Sequence, residues 1–201
     1  MKKVILASIV FVLSWNVQAA NIVVNGSFES PELKAKTWKV FKSIDGWNTG
    51  GAGIEIRNNV AGSAYEGNQF AELDSHGKQS NSSISQTLST MLGKVYKLSF
   101  AYSPRIKQPE YTNGIDVFWN GNLLQSITGT GSKVHDWLVY TFMVEGTGKD
   151  LLAFQATGKQ DTLGGSLDDV SVSAVPIPAA ALLFAPALLG LIGLRRRAVN
   201  A

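Results

Sequence analysis

The chain has 201 residues, no cysteine, and 18 basic against 15 acidic residues, which gives a formal net charge of +3 at pH 7. The excess positive charge belongs to the two ends, because Lys2, Lys3 and residues 195–197 are five of the 18 basic residues. Without these five, 13 basic residues face 15 acidic ones, so the body is slightly acidic. Such a body has no basic patch, which argues against nucleic acid as a partner. Without disulfides, the fold depends on a packed core.

Residues 1–20 have the pattern of a secretory signal peptide. Lys2 and Lys3 precede an apolar stretch over residues 4–13, and Ala19 and Ala20 supply small residues at the usual cleavage position. We therefore expect an exported protein whose mature body begins near residue 21.

Residues 175–201 have the pattern of a C-terminal membrane segment. About 20 apolar residues cross a hydrocarbon core, and residues 175–194 supply that length without a charge. The segment opens with the motif Val175, Pro176, Ile177, Pro178, Ala179. It closes with three arginines that are expected to stay cytoplasmic, Arg195, Arg196 and Arg197.

This tail resembles the PEP-CTERM group of bacterial sorting signals, most of all its VPLPA-type variant. Residues 175–179 stand at the motif position, with Ile177 where the commonest form has Glu. The resemblance implies an exosortase and the secretion machinery of a Gram-negative bacterium as partners. It also implies an association with extracellular polysaccharide or a biofilm matrix. Whether the protein stays in the envelope or is secreted after C-terminal processing is left open.

Residues 21–174 are predicted to form one all-β domain. Tyr96, Leu98, Phe100 and Tyr102 alternate with small or polar residues, which is the period of a half-buried strand. The residues at 115, 117 and 119 repeat this alternation, and Asn120-Gly121 after them is typical of a type I′ hairpin turn. Further strands are predicted at 22–24, 53–57, 70–74, 83–88, 123–128, 137–145, 151–157 and 166–173. About nine or ten short strands predict a two-sheet sandwich of jelly-roll type.

The two ends of this body resemble the galactose-binding-like β-sandwich superfamily, which includes many carbohydrate-binding modules. The opening segment NIVVNGSFE (residues 21–29) and the closing segment GSLDDVSV (165–172) carry the resemblance, and residues 67–75 and 113–121 fit the same pattern. The resemblance implies that the first and last strands lie side by side, with a structural calcium commonly near their junction.

Four residues near that junction are candidate calcium ligands, because calcium takes six to eight oxygens from carboxylates and carbonyls in bent loops. By the resemblance we expect Glu29 and Asp169, with Asn25 in the preceding turn. Asp168 is a weaker candidate, since adjacent residues on a strand point to opposite faces. The alternative is that these carboxylates are ordinary surface groups beside turns.

Sugar binding requires aromatic faces and a few placed hydrogen-bonding groups. Trp119 neighbours the hairpin turn, while Tyr65, Tyr111 and Arg105 lie in loops rich in Gly, Pro or Asn, where binding residues gather. These four, together with Glu72 and Asp74, are the candidate ligand-binding residues, and a core position is the alternative for Trp119. Trp47 and Trp137 are assigned to the core.

Glu72 and Asp74 are two residues apart and therefore share a face if they lie on a strand. Such a pair does acid–base work in glycosidases, but a calcium or sugar-hydroxyl contact, or a plain solvated face, fits it better. The sequence contains no HExxH, GxSxG, P-loop or dinucleotide-binding motif. The sequence thus predicts a non-catalytic, exported carbohydrate-binding protein. A structural or adhesive surface protein that binds other proteins is the alternative, and a glycan hydrolase is a third.

Overall fold

The computed structural model of the chain describes residues 19–76 and 79–176, and residues 20–175 form one compact unit. Most of the predicted signal peptide and the C-terminal segment beyond Pro176 lie outside the described residues. Within the described residues, no helix is long and apolar enough to cross a membrane.

Twelve strands form within the described residues. They are β1 (Trp38–Phe41), β2 (Ser43–Ile44), β3 (Trp47–Gly50), β4 (Ile54–Asn58), β5 (Gln69–Glu72), β6 (Ser83–Ser89), β7 (Val95–Ser103), β8 (Gly114–Trp119), β9 (Asn122–Ile127), β10 (Leu138–Glu145), β11 (Lys149–Thr157) and β12 (Ser166–Ala174). A short 3-10 turn, Glu110–Thr112, precedes β8.

The strands make two six-stranded antiparallel sheets. Sheet A has the order β1-β4-β5-β12-β7-β10, and sheet B has the order β2-β3-β6-β11-β8-β9. Apart from the β8–β9 hairpin, consecutive strands from β6 to β12 alternate between the sheets, and their connecting loops lie at the two ends of the sandwich. The predicted all-β sandwich of two antiparallel sheets is confirmed.

The core lies between the sheets, because alternate residues of each strand point inward. The predicted alternation in β7 is confirmed, with Tyr96, Leu98, Phe100 and Tyr102 all buried. Phe100 meets Phe154 of β11 edge to face across the core, with ring centroids 5.1 Å apart. Burying each such large side chain stabilises the fold by about 1.5–3 kcal/mol.

The hairpin prediction at Asn120-Gly121 is also confirmed. Both residues have positive φ, 52° and 78°, as a type I′ turn requires, and Trp119 pairs with Asn122 across the turn.

The beginning of the body differs from the prediction. Residues 22–24 form no strand: the contact with β12 is a single bridge between Asn21 and Ser173 and a bond from the Ile22 N–H to the Val172 carbonyl. Asn21 Oδ1 also accepts the Val23 N–H, which closes a local turn instead of extending the ladder. The N-terminal segment nevertheless lies beside the last strand, as the resemblance implies.

Strand β12 carries a bulge at the two adjacent aspartates. Its register against β7 shifts between Asp168 and Ser171, and Asp169 has φ 47°. The simple alternation expected at Asp168 and Asp169 is therefore wrong, because a bulge adds an unpaired residue and re-aims the side chains around it.

The two ends of the sandwich carry different loops. The end that we call terminal holds loops 90–94, 120–121 and 146–148. Strand β12 also finishes there, because Ala174 pairs with Tyr96 and Glu145 with Val95 at the start of β7. The distal end holds loops 104–113, 128–137 and 158–165, each of which connects one sheet to the other.

Candidate functional site

A groove of about 700 Å³ lies at the distal end, where the 3-10 turn meets the ends of β8, β9 and β11. Its lining combines one aromatic ring with carboxylates, hydroxyls and two glycines. The lining residues are Glu110, Tyr111, Gly114, Asp116, Ser126, Ile127, Thr128, Thr157 and Gly158.

Tyr111 is the aromatic residue of the groove, and its side chain is 61% exposed. Its backbone carbonyl accepts the Lys159 N–H at 2.9 Å, and the Lys159 ammonium lies over its ring, 5.6 Å from the centroid. This close approach requires glycine at 158, where φ is +91° and a Cβ atom would lie 2.3 Å from the Tyr111 carbonyl oxygen. Tyr111 therefore lies between strands, as the sequence indicates, and the structure shows that its ring is exposed.

The turn that carries Tyr111 is fixed by buried Asn113. The Asn113 amide nitrogen donates to the carbonyls of Pro109 and Gly129, each at 3.0 Å, and its oxygen accepts the Arg105 N–H at 2.9 Å. Thr128 adds a bond to the Glu110 carbonyl at 2.8 Å. Two loops of the distal end are thus tied together, so Tyr111 is presented by an ordered backbone.

Glu72 and Asp74 hold the third distal loop. Both are about 1% exposed. Glu72 Oε1 accepts the Gly164 N–H at 2.7 Å, and Asp74 Oδ2 accepts the N–H groups of Asp161 and Leu163 at 3.2 and 3.1 Å. The expectation of a solvated face is therefore wrong, because loop 158–165 folds over this pair. Neither carboxylate is open to a ligand, and both position the groove wall.

Arg105 pairs with Glu72 instead of facing solvent. Its Nη1 lies 2.5 Å from Glu72 Oε2, which also contacts Arg57 Nη2 at 2.7 Å, and the Arg105 side chain is 15% exposed. Burial raises the pKa of Glu72 to about 8, although the two guanidinium groups favour its charged form. Arg105, predicted to bind ligand, has a structural partner here and is not a groove-lining residue.

Trp119, a candidate for stacking on a sugar ring, belongs to the core. It is 6% exposed, and its indole N–H donates to the Glu145 carbonyl at 3.1 Å, at the terminal end of the sandwich. It is therefore not available for ring stacking. Trp47, by contrast, is buried as predicted, although it opens β3 and does not lie in a loop.

Tyr65 lies in the loop between β4 and β5 of sheet A, whereas the groove is formed at sheet B. Its side chain is 47% exposed and meets Trp137 edge to face, with centroids 6.1 Å apart. Its backbone N–H donates to Asp168 Oδ2 of β12 at 2.8 Å. Tyr65 and Tyr111 are therefore two exposed tyrosines in different surroundings.

The predicted calcium residues are engaged in internal hydrogen bonds. The Asn25 side chain clamps a turn through the Ser30 backbone and the Asp45 carbonyl. Glu29 Oε1 accepts two backbone N–H groups at 2.7 Å, from residues 68 and 69. Among the residues that the structure describes, no three His, Cys, Asp or Glu side chains come together as a metal site would require.

Asp168 and Asp169 differ in their surroundings. Asp168 is buried, which raises its pKa to about 7 in spite of bonds from three backbone N–H groups, those of Tyr65, Glu66 and Asp169. Burial and then repulsion from Glu66 raise the pKa of Asp169. A cation near Asp169 would relieve this repulsion.

Most of the groove was not found in the sequence. Asp116 and Ser126 are outward-facing strand residues that become neighbours only through the register of β8 and β9. Glu110 carried a usable signal, because it directly precedes the candidate Tyr111 in the same turn.

No family model matches the chain. A Multifunctional-autoprocessing repeats-in-toxin of Vibrio vulnificus is 32% identical over 157 residues, which are 76% of this chain and 3% of the toxin. Halomucin of Haloquadratum walsbyi is 27% identical over 196 residues, which are 89% of this chain and 2% of that protein. The chain thus spans only a small fraction of these relatives.

Several solved structures are similar to this chain. A Stig cyclase of Fischerella sp. TAU covers 80% of this chain and 99% of its own, with a TM-score of 0.57 and 17% identity. The K1 cleaved adhesin domain of Lys-gingipain of Porphyromonas gingivalis W83 covers 70% and 98%, with a TM-score of 0.51 and 17% identity. A family 61 carbohydrate-binding module in complex with beta-1,4-galactotriose has a TM-score of 0.48 and 17% identity and covers 78% and 100%. The first two matches support the sandwich fold.

Proposed function

We propose that the groove at the distal end binds a polysaccharide and that the protein is a non-catalytic carbohydrate-binding module. The observation that carries the proposal is the exposed ring of Tyr111 among carboxylates and hydroxyls in a groove of about 700 Å³. Small-molecule sites commonly have volumes of about 300–1,000 Å³ and combine apolar area with few polar groups.

Each kind of side chain in the groove has a part in sugar recognition. The C–H face of a sugar ring stacks on the Tyr111 face opposite Lys159, which removes apolar area from water. Glu110 and Asp116 accept hydrogen bonds from sugar hydroxyls, and bonds to charged groups are the stronger ones. Two carboxylates beside one ammonium group favour a neutral polymer over a polyanion.

The sequence relatives agree with the function of a module. The segment that matches this chain makes up only 2–3% of each of these much longer relatives, which supports a domain used as one part among many. We extend the proposal to an exported protein that the C-terminal segment anchors in the envelope or presents to an exosortase. The uncharged run over residues 180–194 and the arginines after it support this extension.

The proposal also includes the galactose-binding-like type of the sandwich. It further includes a structural calcium at the junction of the N-terminal segment and β12. The bridge from Asn21 to Ser173, which places the N-terminal segment beside β12, and the repulsion between Glu66 and Asp169 next to it support it. Calcium would contribute structural cross-linking by oxygen ligands. We expect a chelator to lower the melting temperature of the wild-type protein and to leave that of Asp169→Asn unchanged. Equal melting of the wild-type protein with and without chelator would contradict the metal.

The carbohydrate proposal is tested by affinity electrophoresis through gels that contain different neutral and acidic polysaccharides. We expect retardation by a neutral polymer and an affinity about tenfold weaker for Tyr111→Ala, because a lost aromatic contact of about 1.4 kcal/mol is a factor of ten. Tyr65→Ala, which removes an exposed tyrosine outside the groove, is the matched control and is expected to bind as the wild type does.

Two outcomes would contradict the assignment in different ways. Equal binding by Tyr111→Ala and wild type would move the site away from this groove. Free migration through every polymer would favour the adhesive alternative, for which edge strand β10 offers the exposed side chains of Leu138, Val139 and Met143.

A further inference from the structure

The terminal end of the sandwich exposes apolar side chains on one loop. Leu92 is 82% exposed and Met91 63%, and Val95 directly after the loop is 46% exposed. Met143, 64% exposed, stands beside them because it pairs with Lys97 on the neighbouring strand. Adjacent exposed apolar residues of this size are characteristic of surfaces that meet a partner or a membrane.

This loop is held in a defined shape by backbone hydrogen bonds. The N–H of Gly93 donates to the Gly146 carbonyl at 2.8 Å, and the N–H of Thr90 donates to the Gly148 carbonyl at 3.2 Å. The Met91 N–H donates to the Tyr96 hydroxyl at 2.9 Å. The fold therefore presents Met91 and Leu92 at the tip of an ordered turn.

The chain leaves the sandwich next to the same loop. The Val175 N–H donates to the Val95 carbonyl at 2.9 Å, and the uncharged apolar run begins at Ala180. The five residues 175–179 span at most about 17 Å when fully extended. The body also begins at this end, because Asn21 bridges to Ser173.

Three lysines lie at the same end of the sandwich as the apolar tip. Lys94 lies in the loop, Lys97 follows on β7, and Lys149 opens β11 opposite Ser89. Of the acidic residues at this end, Glu145 is exposed and Asp150 is fully buried. Lysines close to a bilayer are attracted by anionic headgroups, and an apolar tip among them is the composition of an interfacial contact.

We propose that the loop Met91–Leu92 inserts into the interfacial layer of an anionic lipid bilayer and sets the body upright on it. This inference rests on the proposed membrane anchoring of residues 175–201, and it adds a second contact and an orientation. The groove at the opposite, distal end then faces away from the lipid.

The absence of cysteine allows a direct test with the full chain in vesicles that contain anionic lipid. Leu92→Cys carries an environment-sensitive fluorophore, and Val134→Cys, 67% exposed in a distal loop, is the matched control. Flotation of the vesicles reports anchoring. Quenching by bilayer-embedded quenchers and by aqueous iodide reports the position of the label.

We expect both variants to float with the vesicles. The emission of the label at 92 should be blue-shifted and quenched mainly by the bilayer-embedded quenchers. The label at 134 should be quenched mainly by iodide. Adding Met91→Glu should shift the label at 92 towards iodide quenching. Flotation with iodide quenching at 92 would overturn the loop contact and leave the anchor intact. Protection of residue 92 from both quenchers would replace lipid by a second copy of the chain as the occupant, and absent flotation would overturn anchor and contact together.

Discussion

Glu72 lies at the centre of a buried cluster of charged side chains on sheet A. Its carboxylate is shared by Arg57 and Arg105 on one oxygen and by the Gly164 N–H on the other. Arg57 also contacts Glu55 at 2.5 Å, so four charged side chains lie together on the outer face of β4, β5 and the loop after β7. Buried groups of this kind make stability depend on pH, because their protonation differs between the folded and unfolded states.

The sign of that dependence follows from the raised pKa. Glu72 titrates near pH 8 in the folded protein and near 4.5 in the unfolded chain, so between these values the folded state binds more protons. The free energy of unfolding should therefore fall as pH rises through this interval, by at most about 1.4 kcal/mol per pH unit for one group. Asp168, with a folded pKa of about 7, acts with the same sign.

Urea unfolding at several pH values between about 5 and 8 measures this slope. Glu72→Gln is expected to have a shallower slope than the wild type, and Glu32→Gln, which changes an exposed carboxylate, serves as the matched control. A wild-type stability that is flat or rises over this interval would show that the arginines keep Glu72 charged throughout.

The carboxylate of Asp150 connects three loops at the terminal end of the sandwich. Fully buried Asp150, at the start of β11, accepts bonds from the Thr147 N–H at 2.9 Å, the Thr147 hydroxyl at 2.7 Å and the Asn120 amide at 2.5 Å, and also from the Thr90 hydroxyl. Burial disfavours the charged form, but these bonds outweigh it and lower the pKa of Asp150 to about 2.

Asp150→Asn should therefore destabilise the protein by about 2 kcal/mol, the scale of one hydrogen bond to a charged group in a network that an amide cannot fully satisfy. The stability that Asp150 contributes is present above pH 3.8 and is lost as pH falls towards 2, so the variant should also lose part of its acid sensitivity. Asp136→Asn in a distal loop is the control, and equal urea midpoints for the two variants would contradict the role of Asp150.

The elements that the sequence predicts well are those whose signal is local. The alternation in β7 and the turn at Asn120-Gly121 depend on neighbouring residues alone, and both are found in the structure. Strands β1 to β3 have two to four residues each, too few for a period of two to show, and Trp38 pairs with the distant Arg57. Their existence is decided by pairing partners and not by local propensity.

The groove illustrates the same limit at the level of a site. Tyr111 is visible in the sequence as an aromatic residue in a polar loop, whereas Asp116 and Ser126 join it only through strand register. The core position of Trp119 is predictable from the sequence, because the inward alternation of Ile115 and Val117 places Trp119 on the buried face. The burial of Glu72 and Asp74 is not predictable in this way, since it depends on a loop some 90 residues away in the chain.

The two proposed contacts, with polysaccharide and with lipid, lie at opposite ends of the sandwich. The groove belongs to the distal loops, while the chain enters and leaves the sandwich at the terminal end. Because neither contact uses a residue of the other, lipid and polysaccharide should bind without competition. Many copies on one vesicle should then engage one polymer together, and multivalent attachment of this kind raises apparent affinity by about 10²–10⁴ without a new contact.

This separation predicts that vesicles bearing the full chain are captured by polysaccharide beads far more tightly than the detergent-solubilised chain, because only the vesicles present many grooves to one polymer. Tyr111→Ala should abolish most of the gain, since weakening each contact is compounded over many copies, and Tyr65→Ala should retain it. Bead capture is measured for vesicles of decreasing protein density. A gain that is independent of density, or vesicles that bind more weakly than the solubilised chain, would show that the membrane hides the groove and would contradict the proposed orientation.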